Sequence, residues 1–349
     1  MTRAVSTRTA VQILSGVQLR AEGGTLTLAA TDMDISLRAS LAAGVQEEGA
    51  IVVPGRLLTE LVRLLPESEV VIEKDAEDGT AQIRCGSASY TLNTYGADDF
   101  PRLPALDGVE LFPLEARPFL ETVARVSRSA SRDESRPVLT GILVRFEEGK
   151  VVMAATDSYR LSVKQTALDA QAQELEAIVP ARALAELTRI ASGSVSLELG
   201  VHENQVLFHA DDVWLTTRRI DGQFPNYKQL LPESHEHEVV LPREELLEVV
   251  RRVSVLAQRN APLRLRFEEG SLTVSAQTQD VGTAREALPV GFSGEPLEIG
   301  FNAEFLRDGI ESIQTSELRL RLISPLRPGL IVAAEDDFWY LIMPIRLAG

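Results

Sequence analysis

Short runs of alternating apolar and polar residues dominate the chain, and only a few stretches switch to helical spacing. Leu14-Ser15-Gly16-Val17-Gln18-Leu19-Arg20-Ala21-Glu22-Gly23-Gly24 reads as a strand running into a tight turn. The pattern returns 125 residues further on as Leu139-Thr140-Gly141-Ile142-Leu143-Val144-Arg145-Phe146-Glu147-Glu148-Gly149. A third copy starts at Leu263, where Arg266-Phe267-Glu268-Glu269-Gly270 repeats Arg145 to Gly149 letter for letter. Ala29-Ala30-Thr31-Asp32 recurs as Ala154-Ala155-Thr156-Asp157, and Phe100-Pro101 as Phe224-Pro225. A period of about 120 residues is too long for a solenoid and predicts three duplicated domains. Their boundaries fall in polar or proline-flanked segments, giving residues 1–106, 107–234 and 235–349.

Helical spacing marks two stretches in a complete copy. Leu57, Leu58, Leu61, Leu64 and Leu65 form one stripe between Pro54 and Pro66. Leu184, Leu187 and Ile190 repeat it in the second copy, and Phe305, Ile310 and Ile313 in the third. Phe119, Leu120, Val123 and Val126 mark another helix, matched by Leu246, Leu247, Val250 and Val253. Strands outnumber helices and sit in runs, which predicts an α+β protein of antiparallel sheets with helices on one face.

Charge adds a second layer to this pattern. The chain carries a formal net charge of −16, which argues against gripping nucleic acid over the whole surface. Yet Arg56 and Arg63 lie seven apart on one predicted helix, and Arg182 and Arg189 reproduce the pair in the second copy. Arg252 and Arg259 repeat the interval, and Arg125 and Arg128 sit on the polar side of a further helix. One reading makes these ordinary solvated faces, with Arg56/Glu60 and Arg182/Glu186 as i,i+4 pairs. The other makes them one shared basic surface lining a channel, where phosphate contact is independent of sequence and suits sliding.

Composition excludes more than it assigns. Hydrophobic content of 44% with 25% charged residues fits a globular chain, and no apolar run reaches membrane-spanning length. Met1-Thr2-Arg3-Ala4-Val5-Ser6 leads into no secretory apolar stretch, and the single Cys85 fits a reducing compartment, so a cytoplasmic location is expected. The duplicated Thr31-Asp32 and Thr156-Asp157 suggest an acid dyad, but the third copy reads Ser275-Ala276-Gln277-Thr278 without an acid. Turn duty is the expected role of both aspartates. His202 and His209 fall in a predicted hairpin, and His235-Glu236-His237 reads as a linker without a metal-ligand cluster. With no phosphate loop or nucleophile elbow, neither an enzyme nor a cofactor is expected.

Three further segments carry a resemblance: Ala154-Ala155-Thr156-Asp157-Ser158-Tyr159-Arg160-Leu161, Asp221-Gly222-Gln223-Phe224-Pro225-Asn226-Tyr227 and Met343-Pro344-Ile345-Arg346-Leu347. With the three copies, they make the sequence resemble the bacterial beta sliding clamps of DNA polymerase III over nearly its whole length. The resemblance implies a DNA clamp fold and a head-to-tail homodimeric ring around duplex DNA. It also implies a clamp loader that opens the ring, and polymerases and repair proteins that dock through short peptides. No membrane partner is implied.

The family's peptide pocket maps onto Leu139, Thr156, Ser158, Tyr159, Arg160 and Leu161, then onto Pro225 and Leu230. Asn302, Phe305, Leu326 and Pro328 would come from the third copy, and Met343, Pro344, Ile345, Arg346 and Leu347 would complete the wall. In that pocket Leu161, Pro225, Leu230 and Met343 would receive a peptide's Leu or Phe, with Arg160 and Arg346 fixing its backbone or a carboxylate. Core packing is the competing role for each apolar residue. Family DNA contacts map onto Arg8, Arg132 and Arg136; subunit contacts map onto Tyr90 and Leu92 on one side and Val255 and Leu256 on the other. A triplicated β-rich scaffold for a small molecule or sugar is the alternative from another class, and an aspartic hydrolase the third.

One departure stands out. Arg3 aligns with Arg128 at the same 125-residue offset, so a strand and helix that open the other copies have no counterpart in the first. Two, two and one channel-side helices are therefore expected, with a start codon further upstream as the simplest cause.

Overall fold

The computed structural model describes residues 1–5, 11–66, 69–75, 78–104, 106, 108–147, 149–168, 175–257, 261–334 and 336–347. The first copy contains β1 (Gly16–Glu22), β2 (Thr25–Thr31), β3 (Ile35–Ala42), β4 (Gly49–Pro54), helix α1 (Gly55–Val62), β5 (Val70–Asp75), β6 (Thr80–Cys85) and β7 (Ala88–Asn93). The second contains β8 (Leu111–Glu115), α2 (Ala116–Val126), the single turn α3 (Pro137–Thr140), β9 (Gly141–Glu147), β10 (Lys150–Thr156), β11 (Arg160–Ala167) and β12 (Leu175–Pro180). It continues through α4 (Ala181–Ile190), β13 (Ser196–His202), β14 (Gln205–Ala210) and β15 (Val213–Arg218). The third contains β16 (His237–Pro242), α5 (Arg243–Ser254), β17 (Leu263–Glu268), β18 (Ser271–Thr278), β19 (Gly282–Pro289) and β20 (Leu297–Phe301). Helix α6 (Ala303–Glu311), β21 (Glu317–Leu322), β22 (Gly329–Ala333) and β23 (Asp336–Ile342) close it.

Sequence copies and packing units do not coincide. One unit comprises Met1–Arg117 with Arg182–Arg219, the other Pro118–Ala181 with Ile220–Gly349, so the second copy is divided between them. The first unit holds an antiparallel sheet in the order β4-β1-β2-β3-β15-β14-β13-β8, joined where Leu37 pairs with Leu215. The other unit holds its equivalent, β12-β9-β10-β11-β23-β22-β21-β16, joined where Leu161 pairs with Leu341. Each unit also has a smaller sheet: β5-β6-β7 in the first and β19-β18-β17-β20 in the second.

Local rules explain the repetition. Gly16 and Gly141 open β1 and β9, where any Cβ would lie 2.4 Å from Val52 and Ile178 of the neighbouring strand. Only glycine permits that approach. The strand end of each copy is then laced the same way. Tyr95 N–H donates to Val52 O, Ile220 N–H to Ile178 O and Ile345 N–H to Gly300 O, each at 2.8 Å.

In the second unit, side chains of β23 alternate between two cores, as a pleated strand requires. Phe338, Tyr340 and Ile342 join the core that contains α5 and α6, while Trp339 and Leu341 face the opposite cluster. That opposite cluster, with Leu143, Leu161, Leu330 and Val332, is covered by Ile220, Phe224, Tyr227 and Leu231 and by Val138 of the single turn α3, not by a long helix. Helices on one sheet face, as the sequence pattern predicts, hold here.

Helix α1 departs from its predicted stripe. Leu58 and Gly55 are buried on it, but Leu57 is 52% exposed, and Leu64 lies beyond the helix and is 83% exposed. The reason is length: eight residues make their main contacts with the Thr2–Ala4 turn, β1 and β4, so one side of two turns is covered. Among the described residues the first copy has this one α-helix and a three-stranded β5-β6-β7 sheet. His237 opens β16 rather than belonging to a linker.

Candidate functional site

The duplicated aspartates build turns. Asp157 Oδ1 accepts the N–H groups of Tyr159 and Arg160 (2.9 and 3.0 Å), while Thr156 Oγ1 donates to Arg160 O (2.7 Å) and accepts Ser158 N–H (3.1 Å). Asp32 and Thr31 make the matching bonds to Ile35 and Met33. Both turns hold a non-glycine residue at positive φ, Met33 at 80° and Ser158 at 79°. Such strain persists where surrounding bonds over-determine it.

The turn at 156–160 projects Tyr159 outward, 61% exposed, and draws Arg160 inward, 8% exposed. Tyr159 stacks on Phe305 with ring centroids 6.4 Å apart, and Met343 N–H donates to Tyr159 O at 2.8 Å. Phe305 stands in the first turn of α6, whose N-cap Asn302 accepts Phe305 N–H at 3.1 Å. Tyr159, Asn302, Phe305 and Met343 are thus brought together by direct contacts, with Ser158 next to Tyr159 in the turn. Leu161 lies beneath, fully buried and paired with Leu341.

Around this group, Pro225 and Leu230 are exposed on the segment whose Phe224 and Tyr227 enter the buried cluster. Pro344, Ile345 and Leu347 are half-buried and Arg346 is exposed, with Leu347 closing over Gly300. Leu326 is exposed in the β21–β22 connection, and Pro328 lines a cavity of about 120 Å³ with Pro232, Glu233, Ser234, His235, Arg321, Ile323 and Leu330. Leu139 lies within α3, and its carbonyl accepts Ser131 N–H.

One expectation for this face needs correction. Arg160 does not present itself to a ligand. Its Nε donates to Asp157 Oδ2 (3.0 Å) and its Nη1 to Asp308 Oδ2 (2.5 Å), with the guanidinium 4.3 Å from the Phe305 ring centroid. Thr156 and Leu161 are buried beneath the exposed Tyr159. The sequence reading also missed Leu330, Trp339, Leu341 and Asp308. The unbroken run Phe338-Trp339-Tyr340-Leu341-Ile342 signals a strand buried on both faces; Asp308 carries no comparable signal.

The arginines expected to face DNA divide into groups. Arg125 is a correction: its side chain is 7% exposed, paired with Asp336 at 2.5 Å and stacked 4.2 Å over Phe338. A buried cation on a sheet-facing helix side cannot reach phosphate. Arg128 is 39% exposed and bound to Glu311 (2.7 Å) and Asp308 (3.4 Å). Arg56, Arg182, Arg189 and Arg252 are exposed but paired with Glu60, Asp32, Glu186 and Glu286 respectively. Arg136 binds Asp133 and Ser158, and Arg63 and Arg132 are exposed. Arg63 is the C-cap of α1, its N–H donating to Thr59 O, and so follows Arg56 by two turns of the same helix. Arg8 and Arg259 lie outside the described residues.

Tyr90 and Leu92 occupy β7, an edge of the three-stranded sheet. Val255 is strongly exposed just past α5, and Leu256 O accepts the Thr278 hydroxyl beside the β18–β19 turn. Leu256 therefore sits at the edge strand β19. Among the described residues no group of three or more His, Cys, Asp or Glu could hold a metal, and no helix is long and apolar enough to cross a membrane.

Three copies joined through shared antiparallel sheets define the class of triplicated clamp folds. Family models for the N-terminal, central and C-terminal domains of the DNA polymerase III beta subunit match residues 1–104, 113–226 and 228–346. The chain belongs to this family. It is 36% identical over 359 residues to the beta sliding clamp of Synechococcus elongatus, covering 99% of this chain and 95% of that protein. The beta sliding clamp of Streptomyces coelicolor is 34% identical over 362 residues, with the same coverage. Among solved structures, the Bacillus subtilis sliding clamp matches with TM-score 0.92 and 27% identity, over 99% of this chain and 95% of that one. The Bartonella birtlesii clamp bound to griselimycin also gives 0.92, at 29% identity and the same coverage.

Proposed function

We propose that the protein is a DNA polymerase processivity clamp: two copies joined head to tail close around duplex DNA and slide on it. Polymerases and repair proteins are held through short peptides at the Tyr159–Phe305–Met343 face. A clamp loader opens the ring with ATP that this chain does not itself use. The protein has no catalytic role and works in the cytoplasm, with three domains at 1–106, 107–234 and 235–349.

The observation that carries this reading is the pattern of sheet edges. In both eight-stranded sheets, the third hairpin strand of one copy (β3 or β11) pairs with the last strand of the next (β15 or β23). Two partial sheets are left over, one ending on β19 and the other on β7. Applying the same rule once more pairs β19 of one molecule with β7 of another. Such a head-to-tail contact either closes a ring or propagates a filament. Tyr90, Leu92, Val255 and Leu256 flank that junction, and open edges left unpaired invite aggregation.

Sedimentation tests the assembly. A particle near twice 38.2 kDa is expected at micromolar concentration, and a monomer or an open polymer would overturn it. Loaded protein is then expected to stay on closed circular DNA and leave once the circle is cut. Equal retention on both would refute encirclement.

A further inference from the structure

We infer that Asp308 is the positioning residue of the peptide-docking face, acting through Arg160 on Phe305 and Tyr159. The inference rests on the reading of that face given above and names what sets its geometry.

Helix α6 carries Asn302, Phe305 and Asp308 at three-residue intervals, which puts all three on one side. Asn302 caps the helix, Phe305 enters the docking face, and Asp308 reaches the Arg160 guanidinium at 2.5 Å. Arg160 lies 4.3 Å from the Phe305 centroid, a cation–π distance, and Phe305 in turn stacks with the exposed Tyr159 ring. The Tyr340 hydroxyl fixes the same residue from below by donating to Phe305 O at 2.7 Å. Arg160 is too buried to touch a peptide, so its effect passes through the rings above it.

Two carboxylates hold this cation. Asp157 is committed to its own turn, so Asp308 is the one that ties the turn to α6. Its second oxygen faces Arg128 at 3.4 Å, and Arg128 has a closer partner in Glu311 at 2.7 Å. Loss of the Asp308 charge leaves a buried guanidinium with half of its counter-charge, and it moves toward solvent and away from Phe305. The wall formed by Tyr159 and Phe305 then loosens while the apolar floor at Leu161 and Leu341 stays.

The test uses the whole protein, fluorescein-labelled Gln-Leu-Ser-Leu-Phe, and versions of that peptide with Leu or Phe replaced by Ala. Asp308→Asn is expected to weaken the parent peptide about tenfold, the scale of one charge-assisted contact. One of the truncated peptides, the one lacking the residue seated on Tyr159 and Phe305, is expected to lose this sensitivity. Arg160→Lys is expected to reproduce the loss, Asp308→Glu to recover part of it, and Arg128→Gln to leave affinity within about twofold. Unchanged affinity in Asp308→Asn overturns the inference, as does equal weakening of all peptides, since general loosening would not discriminate among them. Failure of the unaltered protein to bind any of the peptides would instead overturn the reading of the face.

Discussion

The Arg125 guanidinium and the Asp336 carboxylate meet at 2.5 Å between α2 and β23, with the Lys164 ammonium on the other Asp336 oxygen at 2.6 Å. This pair ties the second copy to the third, and its burial removes Arg125 from any DNA-facing surface. Arg125→Ala is expected to destabilise the fold by about 1.5–3 kcal/mol, because Asp336 loses one charge-assisted bond and keeps only Lys164 while Phe338 loses the cation stacked on it. Urea unfolding reads the loss. A drop in DNA affinity without loss of stability would contradict the assignment.

Acid acts on the same contacts. Burial pushes the Asp336 carboxyl up, but Arg125 and Lys164 outweigh it and hold it below the aspartate value of 3.8. Glu311 behaves alike, with Arg251 and Arg128 outweighing burial and holding it below 4.5. Both folded values lie below the unfolded ones, so the unfolded chain binds more protons. Their stabilisation is fully present above the unfolded values and is lost as pH falls through the folded ones. The urea midpoint is expected to hold from pH 7 to about 5.5 and to decline below about 4.5. Asp336→Asn is expected to flatten that decline; an identical acid limb in the variant would count against it.

Met343 is exposed and anchored by its N–H to Tyr159 O, so a charge there spoils the docking face without disturbing the floor. Met343→Asp is expected to weaken a Gln-Leu-Ser-Leu-Phe peptide at least tenfold while leaving the solution mass unchanged. Removing residues 343–347 is expected to abolish binding too, but also to unlace β20, where Ile345 N–H holds Gly300 O. Peptide titration decides the first; wild-type affinity in Met343→Asp would displace the site.

DNA contact is expected to be weak and salt-sensitive. Arg56, Arg189 and Arg252 each already hold an acid, which phosphate must displace. Proteins making 6–10 phosphate contacts lose about 10³–10⁵ in affinity between 50 and 200 mM salt, and a smaller loss is expected here. Arg132→Gln is expected to lower the salt slope by about one. Titration of a short linear duplex at several salt concentrations measures both, and an unchanged slope would remove Arg132 from the contact surface.

Gly309 faces the Tyr340 ring so closely that a Cβ would lie 2.6 Å from it. Gly309→Ala is expected to push α6 outward and cost about 1–3 kcal/mol by overpacking. Peptide affinity is expected to fall with it, since Phe305 rides on the same helix. Stability and affinity equal to wild type would show that α6 has room to move.

Much of this protein was legible in the sequence because duplication writes the same local physics three times. Alternation gave the hairpins, glycine marked the crowded strand starts at Gly16 and Gly141, and the Thr-Asp turns closed on their own backbone as residues that close in sequence can. The proposed docking residues Tyr159, Phe305 and Met343 were legible only through resemblance, since nothing in their spacing joins positions so far apart.

What tertiary structure alone decided is which side chains each helix and strand hides. Helical spacing put Arg125 on a polar face, yet Asp336, 211 positions away, supplies the charge that buries it. Leu57 of α1 and Ala183 of α4 hold the same place after their arginines, but Leu57 is exposed while Ala183 is buried, because periodicity states which face is apolar and not what covers it. Asp308 gained its role only when folding set α6 against the 156–160 turn. Distant charges and covering surfaces are properties of packing, and a linear pattern does not carry them.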